Sequence, residues 1–141
     1  YKLLMVGDGP SRQKLENLNI DNVLFLGYKH GQELYDLYAS ADIFVFPSVT
    51  ETFGNVVLEA MASGLPVVAA LAGGVEDNLL PGQNGLAFKP GNALDMAEQM
   101  EKLMTQREMR LNLSKGALEH ARSRSWDKVL DDFFATLSKL I

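Results

Sequence analysis

Residues 43–70 read Ile43-Phe44-Val45-Phe46-Pro47-Ser48-Val49-Thr50-Glu51-Thr52-Phe53-Gly54-Asn55-Val56-Val57-Leu58-Glu59-Ala60-Met61-Ala62-Ser63-Gly64-Leu65-Pro66-Val67-Val68-Ala69-Ala70. The stretch opens on one apolar run, Ile43–Phe46, and closes on another, Val67–Ala70. Both runs are continuous rather than alternating, which is how strands buried on both faces read. Between them a polar loop from Pro47 gives way to a helix that starts near Gly54 or Asn55. Working outward, the same kind of run recurs at Leu3–Val6, Val23–Leu26 and Leu86–Phe88. A helical stretch from Glu33 to Ala41 precedes the central segment, with Leu34, Leu37, Tyr38 and Ala41 at three- and four-residue spacing. Strand followed by helix, repeated, predicts a parallel sheet. The expected fold is a Rossmann-like three-layer α/β/α unit with about five mostly parallel strands, followed by C-terminal helices.

Beyond Phe88 the pattern is helical only. Asn92 and Asp95 are spaced as a capping box, and Leu94, Ala97, Met100, Leu103 and Met104 form the expected apolar stripe behind it. A second helix is predicted from about Gln106 to Arg122, weakened by Gly116. A third follows Ser125, with Trp126, Val129, Leu130, Phe133, Phe134, Leu137 and Leu140 on one face. The chain of 141 residues shows no repeat, linker or low-complexity segment, so residues 1–141 are expected to form one domain. The first strand starts almost at residue 1, and the chain is expected to be cut from a longer one.

The charge balance excludes several classes of function. Thirteen Lys and Arg against eighteen Asp and Glu give a net charge of −5, which argues against nucleic acid or an anionic membrane as the partner. The absence of Cys removes disulfides, thiol catalysis and cysteine-based zinc sites, and two His cannot alone build a metal centre. No apolar run reaches the roughly 20 residues of a membrane span, and Tyr1-Lys2-Leu3 does not open a signal peptide. A soluble protein of a reducing compartment, the cytoplasm, is the expectation.

Small and glycine-rich sequence follows the carboxyl ends of the strands: Gly7-Asp8-Gly9-Pro10, Gly27 to Gly31, Pro47 to Gly54 and Leu71 to Gly74. In a parallel sheet with right-handed crossovers such loops share one rim, where open α/β sheets bind ligands. Gly7 and Gly9 lack the third glycine of a dinucleotide fingerprint. A helix beginning at Gly54 or Asn55 presents free N–H groups and the positive end of its dipole to that rim, a site suited to phosphate. Glu59 lies one turn beyond Asn55 in an apolar helix, where a carboxylate is costly without partners. Two readings stand: a structural Glu bonded to neighbouring loops, or a carboxylate accepting hydrogen bonds from sugar or ribose hydroxyls. Glu51, in the loop before the helix, could reach the same ligand farther along. His30 in a rim loop and His120 on a surface helix are read as non-catalytic, and the C-terminal aromatics as core.

Glu51 and Glu59, eight positions apart in this context, resemble the signature of the retaining glycosyltransferases of family 4, also called glycosyl transferases group 1, which have the GT-B fold. The similarity extends through Gly7-Asp8-Gly9-Pro10, Phe25-Leu26-Gly27, Ala41 to Ser48, Gly64-Leu65-Pro66-Val67-Val68, Gly73-Gly74 and Asn84-Gly85, covering residues 3 to about 90. The resemblance implies the C-terminal, nucleotide-sugar-binding lobe of such an enzyme. It implies that Glu59 binds the ribose and that Glu51, the catalytic acid of the pair, contacts the donor sugar. Thr52 would lie with Glu51, and backbone N–H groups of Phe53, Gly54, Asn55 and Val56 would hold the donor's sugar and phosphate. Gly7, Gly9, Tyr28 and Lys29 would line the nucleotide, and Val57 would shape its pocket or belong to the core.

The implied reaction moves a sugar from a UDP-, GDP- or ADP-sugar to an acceptor hydroxyl with retention, as a hexosyltransferase does. No cofactor and no metal are expected, because basic side chains and helix-end amides stabilise the leaving diphosphate. The matching family places an Arg and a Lys for the diphosphate ahead of this first strand, and the acceptor in an N-terminal lobe. The chain is therefore expected to lack that lobe and the first strand–helix unit, and to be inactive alone. Polysaccharide or glycolipid synthesis, peripheral membrane association of the full enzyme and self-association of the fragment through exposed aromatics belong to the same expectation. Gly73-Gly74-Val75-Glu76-Asp77 departs from the family's Gly-Gly-x-Pro-Glu, with Glu76 in the proline position. A phosphoacceptor receiver domain is disfavoured, since Pro47-Ser48 stand where its Asp would be. A sugar-nucleotide epimerase and a non-catalytic nucleotide-sugar-binding module remain as alternatives.

Overall fold

The computed structural model describes residues 1–124 and 126–139, without the side chains of Trp126 and Asp132. The expected cap at Ser125, the Trp126 side chain and Leu140 lie outside the described residues. The chain divides into two compact units, Tyr1–Leu37 and Tyr38–Ile141.

The first unit is a parallel pair of strands. β1 (Leu3–Val6) and β2 (Val23–Gly27) flank the short α1 (Arg12–Glu16), and Leu3 pairs with Val23 and Met5 with Phe25. The ladder slips between Met5 and Val6, and an isolated bridge joins Gly7 to Gly27. The sequence suggests strands covered on both faces, yet every residue of β1 is exposed, Val6 at 44%. Two strands and one five-residue helix are too few elements to cover both faces of a ladder within this unit.

α2 (Gly31–Ser40) spans the division between the units and replaces the expected Glu33 to Ala41. In the second unit, β3 (Phe44–Phe46), β4 (Val67–Ala70) and β5 (Gly85–Phe88) form a parallel sheet in the order β3-β4-β5. Phe44 pairs with Val67, and Val68 with Leu86. β4 holds the centre and is the strand that behaves as its sequence suggests, with all four residues buried.

Side chains alternate between the faces of a strand, so successive β4 residues serve different layers. Val68 and Ala70 join Phe88, Leu103 and Leu113 in one core, with Met96 and Met100 packed against it from α4 (Ala93–Thr105). α3 (Asn55–Ala62) packs on β3 and β4 and buries Val57, Ala60 and Met61. The result is the three-layer α/β/α arrangement with parallel strands. Val57 is core, at 0% exposure. α5 (Arg107–Ser123) runs unbroken through Gly116, lies against α3 and ties to it where Ser114 Oγ donates to Gly64 O at 2.6 Å.

Two details of the helical tail correct the sequence. The buried stripe of α4 is Met96, Met100 and Leu103, while Leu94 is 78% exposed and Ala97 is exposed. Met96 and Leu94 sit on opposite sides of a 3.6-residue period, and the strand face selects the former. Phe133 and Phe134 of α6 (Trp126–Leu137) are not core: they meet edge to face at 5.5 Å but are 57% and 60% exposed.

Candidate functional site

The site residues expected on the second unit gather where β3 ends and α3 begins. Gly54 is the N-cap of α3, buried, with φ 78°, a left-handed conformation that a Cβ would strain. No side chain caps this helix, and Val57 and Leu58 N–H both turn to Gly54 O, at 2.9 and 3.2 Å. The amides of Asn55 and Val56 keep no protein acceptor among the described residues. They are donors at the positive end of the helix, available to an anion.

The loop in front of α3 is held from behind. Gly74 N–H donates to Glu51 O at 2.8 Å, and Asn78 Nδ2 donates to Phe53 O at 2.7 Å and to Gly74 O at 3.4 Å. The 3₁₀ turn Gly73–Val75 presses so close that a Cβ on Gly74 would meet Thr52 O and the Phe53 backbone. Asn78 is fully buried and is the residue that the sequence does not single out. Its signal is its place in the segment after Gly73-Gly74, beside the more conspicuous acids Glu76 and Asp77, which are both exposed. Two carbonyl acceptors fix the amide's orientation and leave Oδ1 buried with no partner among the described residues.

The two acids are differently placed. Glu51 is half-buried and its Oε1 accepts from Thr52 N–H at 3.1 Å, so the carboxylate rests on the amide next to it. Thr52 and Phe53 are exposed at the loop surface, with Phe53 at 48%. Glu59, on α3, is exposed, and its Oε2 accepts from Tyr38 Oη at 3.3 Å. Exposure and this donor remove the cost that a carboxylate in an apolar helix suggests. The Tyr38 phenol is pushed up to about 12, first by burial and then by the Glu59 charge and hydrogen bond.

The remaining candidates belong to the first unit. Gly7 bridges to Gly27, and Gly9 N–H donates to Asp8 Oδ1 at 2.7 Å. Tyr28 is 67% exposed, donates to Asp8 O at 3.3 Å and stacks parallel to His30 at 6.2 Å. Lys29 Nζ pairs with Glu33 at 3.4 Å. Arg12 bridges Asp8 and Glu16 at 3.1 and 2.7 Å, and Glu16 above all raises its pKa.

His120 is half-buried rather than on the surface as expected. Burial, followed by the Arg124 charge, lowers its pKa, and its Nε2 has no partner among the described residues. Among those residues no group of three His, Asp or Glu gathers as a metal site, and no helix is long and apolar enough to cross a membrane. An open hollow lined by Gly82, Arg107, Met109 and Asn112 contains no paired acids.

A parallel α/β unit with a bare helix N-terminus, one carboxylate in the loop before that helix and a second on the helix itself sets N–H donors beside carboxylate acceptors at the rim of the sheet. Comparison with known proteins gives that arrangement its family. Residues 1–120 match the family model described as "Glycosyl transferases group 1", and the chain belongs to that family. The sulfoquinovosyl transferase SQD2 of Arabidopsis thaliana is 43% identical over 130 residues, which are 89% of this chain and 25% of that protein. Sucrose-phosphate synthase from Thermosynechococcus elongatus superposes with a TM-score of 0.84 at 29% identity, over 99% of this chain and 38% of that one. HepE of Anabaena, solved in complex with UDP and glucose, gives 0.80 at 28% identity, over 98% of this chain and 40% of that one. The chain thus spans between a quarter and two-fifths of the length of these relatives. The fold is that of a GT-B C-terminal domain.

Proposed function

We propose that this chain is the donor-binding part of a retaining glycosyltransferase, and that it binds a UDP-, GDP- or ADP-sugar for transfer of a hexosyl group to an acceptor hydroxyl. The observation that carries this reading is the uncapped N-terminus of α3, held between Glu51 and Glu59 by the Gly74 and Asn78 contacts. The likeness to a neighbour solved with UDP and glucose supports a nucleotide-sugar ligand, and membership of the group 1 family favours a transferase over an epimerase.

The family resemblance then assigns each group a role that its chemistry suits. The amides of Phe53, Gly54, Asn55 and Val56 would take the sugar and phosphate end, and the Asn55 and Val56 N–H groups already lack a protein acceptor. Charge that develops on the departing diphosphate would be met by fixed dipoles that need no reorganisation. Glu59 would accept hydrogen bonds from the two ribose hydroxyls. Glu51 would turn from the Thr52 amide to the donor sugar's hydroxyls and orient its anomeric carbon. Thr52 would border that sugar, while Gly7, Gly9, Tyr28 and Lys29 would line the nucleotide. The reaction would need no metal or other cofactor. Acceptor binding would come from an N-terminal lobe, and the chain alone would be inactive. The setting would be the cytoplasm, in polysaccharide or glycolipid synthesis, with the full enzyme associating peripherally with a membrane.

Calorimetric titration with UDP, GDP and ADP and their common sugars, repeated on Glu59→Ala, tests the reading. One nucleotide binds and Glu59→Ala weakens it at least about tenfold, the loss of a charge-assisted pair of hydrogen bonds. Equal binding by both proteins would exclude Glu59 from the ribose.

A further inference from the structure

Spacing places Tyr38 among the apolar residues of its helix, and the structure adds a hydrogen bond through its oxygen. The residue lies in the last turn of α2 and is 8% exposed. Its ring meets Phe44 edge-on at 5.8 Å, and Phe44 stacks on Phe46 at 6.1 Å. Packing therefore fixes the ring, and the phenol oxygen is delivered to Glu59 Oε2 at 3.3 Å. Among the described residues no other side chain bonds this carboxylate. Burial and the neighbouring Glu59 charge push the phenol up to about 12, so near neutral pH it keeps its proton and is the donor.

A glutamate on an exposed helix face has three side-chain torsions to order when a ligand arrives. A donor mounted on a packed ring restricts those torsions beforehand and still leaves Oε1 for a ligand. We propose that Tyr38 is a positioning residue for Glu59, holding one carboxylate oxygen so that the group is presented in a fixed orientation to the paired hydroxyls of the nucleotide ribose. The inference rests on the reading that Glu59 takes those hydroxyls. It adds a residue on a different element and predicts selectivity for a sugar moiety that carries both hydroxyls.

The test is calorimetric titration of the full chain with UDP, GDP and ADP, and with the 2′,3′-dideoxy counterpart of whichever binds. The wild type binds the ribonucleotide more tightly than the dideoxy form. Tyr38→Phe, which removes one oxygen and keeps the ring, weakens the ribonucleotide about five- to tenfold, the cost of ordering one long side chain, and leaves the dideoxy form unchanged. In the Glu59→Ala background Tyr38→Phe has no further effect on either ligand. Equal weakening of both ligands by Tyr38→Phe would make it a structural residue and overturn the proposal. Undiminished discrimination in Tyr38→Phe would overturn it while sparing the role of Glu59. A wild type that binds none of these nucleotides, or does not discriminate between the two forms, would end the reading of Glu59 and this proposal with it.

Discussion

The buried amide of Asn78 is where one side chain decides the shape of the candidate site. Its Nδ2 satisfies Phe53 O at 2.7 Å, and no other described donor serves that carbonyl. Asn78→Ala removes that part-buried hydrogen bond, and unfolding by urea is expected to show a loss of about 0.5–1.5 kcal/mol. An unchanged midpoint would mean the loop is held elsewhere. Tyr38 gives a prediction with a pH sign. Its folded pKa, about 12, lies above the ordinary 10.0, so the folded state retains a proton that the unfolded chain releases. The contribution is complete below pH 10 and is lost as pH rises from 10 towards 12, and the difference between wild type and Tyr38→Phe in thermal melting is expected to shrink across that window. Glu51 and Glu59 were legible in the sequence because acids are conspicuous beside a glycine-led helix. Tyr38 and Asn78 were not, because the function of each depends on a partner 21 or 25 positions away.

At the scale of elements, strand and helix order follows from the apolar runs, and the differences are informative. β1 and β4 have the expected bounds, whereas β3 loses Ile43 and β5 gains Gly85, since ladder pairing rather than hydropathy ends a strand. The capping box expected at Asn92 is half present. Asn92 Oδ1 accepts from Asp95 N–H at 3.1 Å, but the Asp95 carboxylate accepts from Lys89 N–H at 2.7 Å instead of returning to Asn92. The backbone bend at Lys89 to Gly91 offers a nearer donor, and that bond is the first cause of the lowered Asp95 pKa. Asn92→Ala is expected to cost about 1 kcal/mol in denaturant melts, as lost N-caps do. Gly74→Ala belongs to this scale as well, because the added Cβ forces apart the 3₁₀ turn and the Thr52–Phe53 backbone. It is expected to lower nucleotide affinity, whereas an Ala tolerated there with full affinity would show that the two loops need not touch.

Over the whole molecule, the hydrophobic sequence predicts more burial than the structure contains. Leu3, Leu4, Met5 and Val6 on β1, and Val129, Leu130, Phe133, Phe134 and Leu137 on α6, are all at least a third exposed. Hydropathy marks such residues as seeking cover and says nothing about what supplies it. Self-association is the expected outcome for the chain alone: its mass in sedimentation velocity should rise with concentration, and Phe133→Ser combined with Phe134→Ser should reduce that rise. A monomer at every concentration would contradict it. The central claim is more local, that nucleotide binds where α3 begins. Backbone amide shifts of the ¹⁵N-labelled chain, followed by NMR as the nucleotide is titrated, address it directly. The largest shifts are predicted at Thr52 through Val56 and around Glu59. Shifts centred instead on the hollow lined by Gly82, Arg107, Met109 and Asn112 would contradict the account.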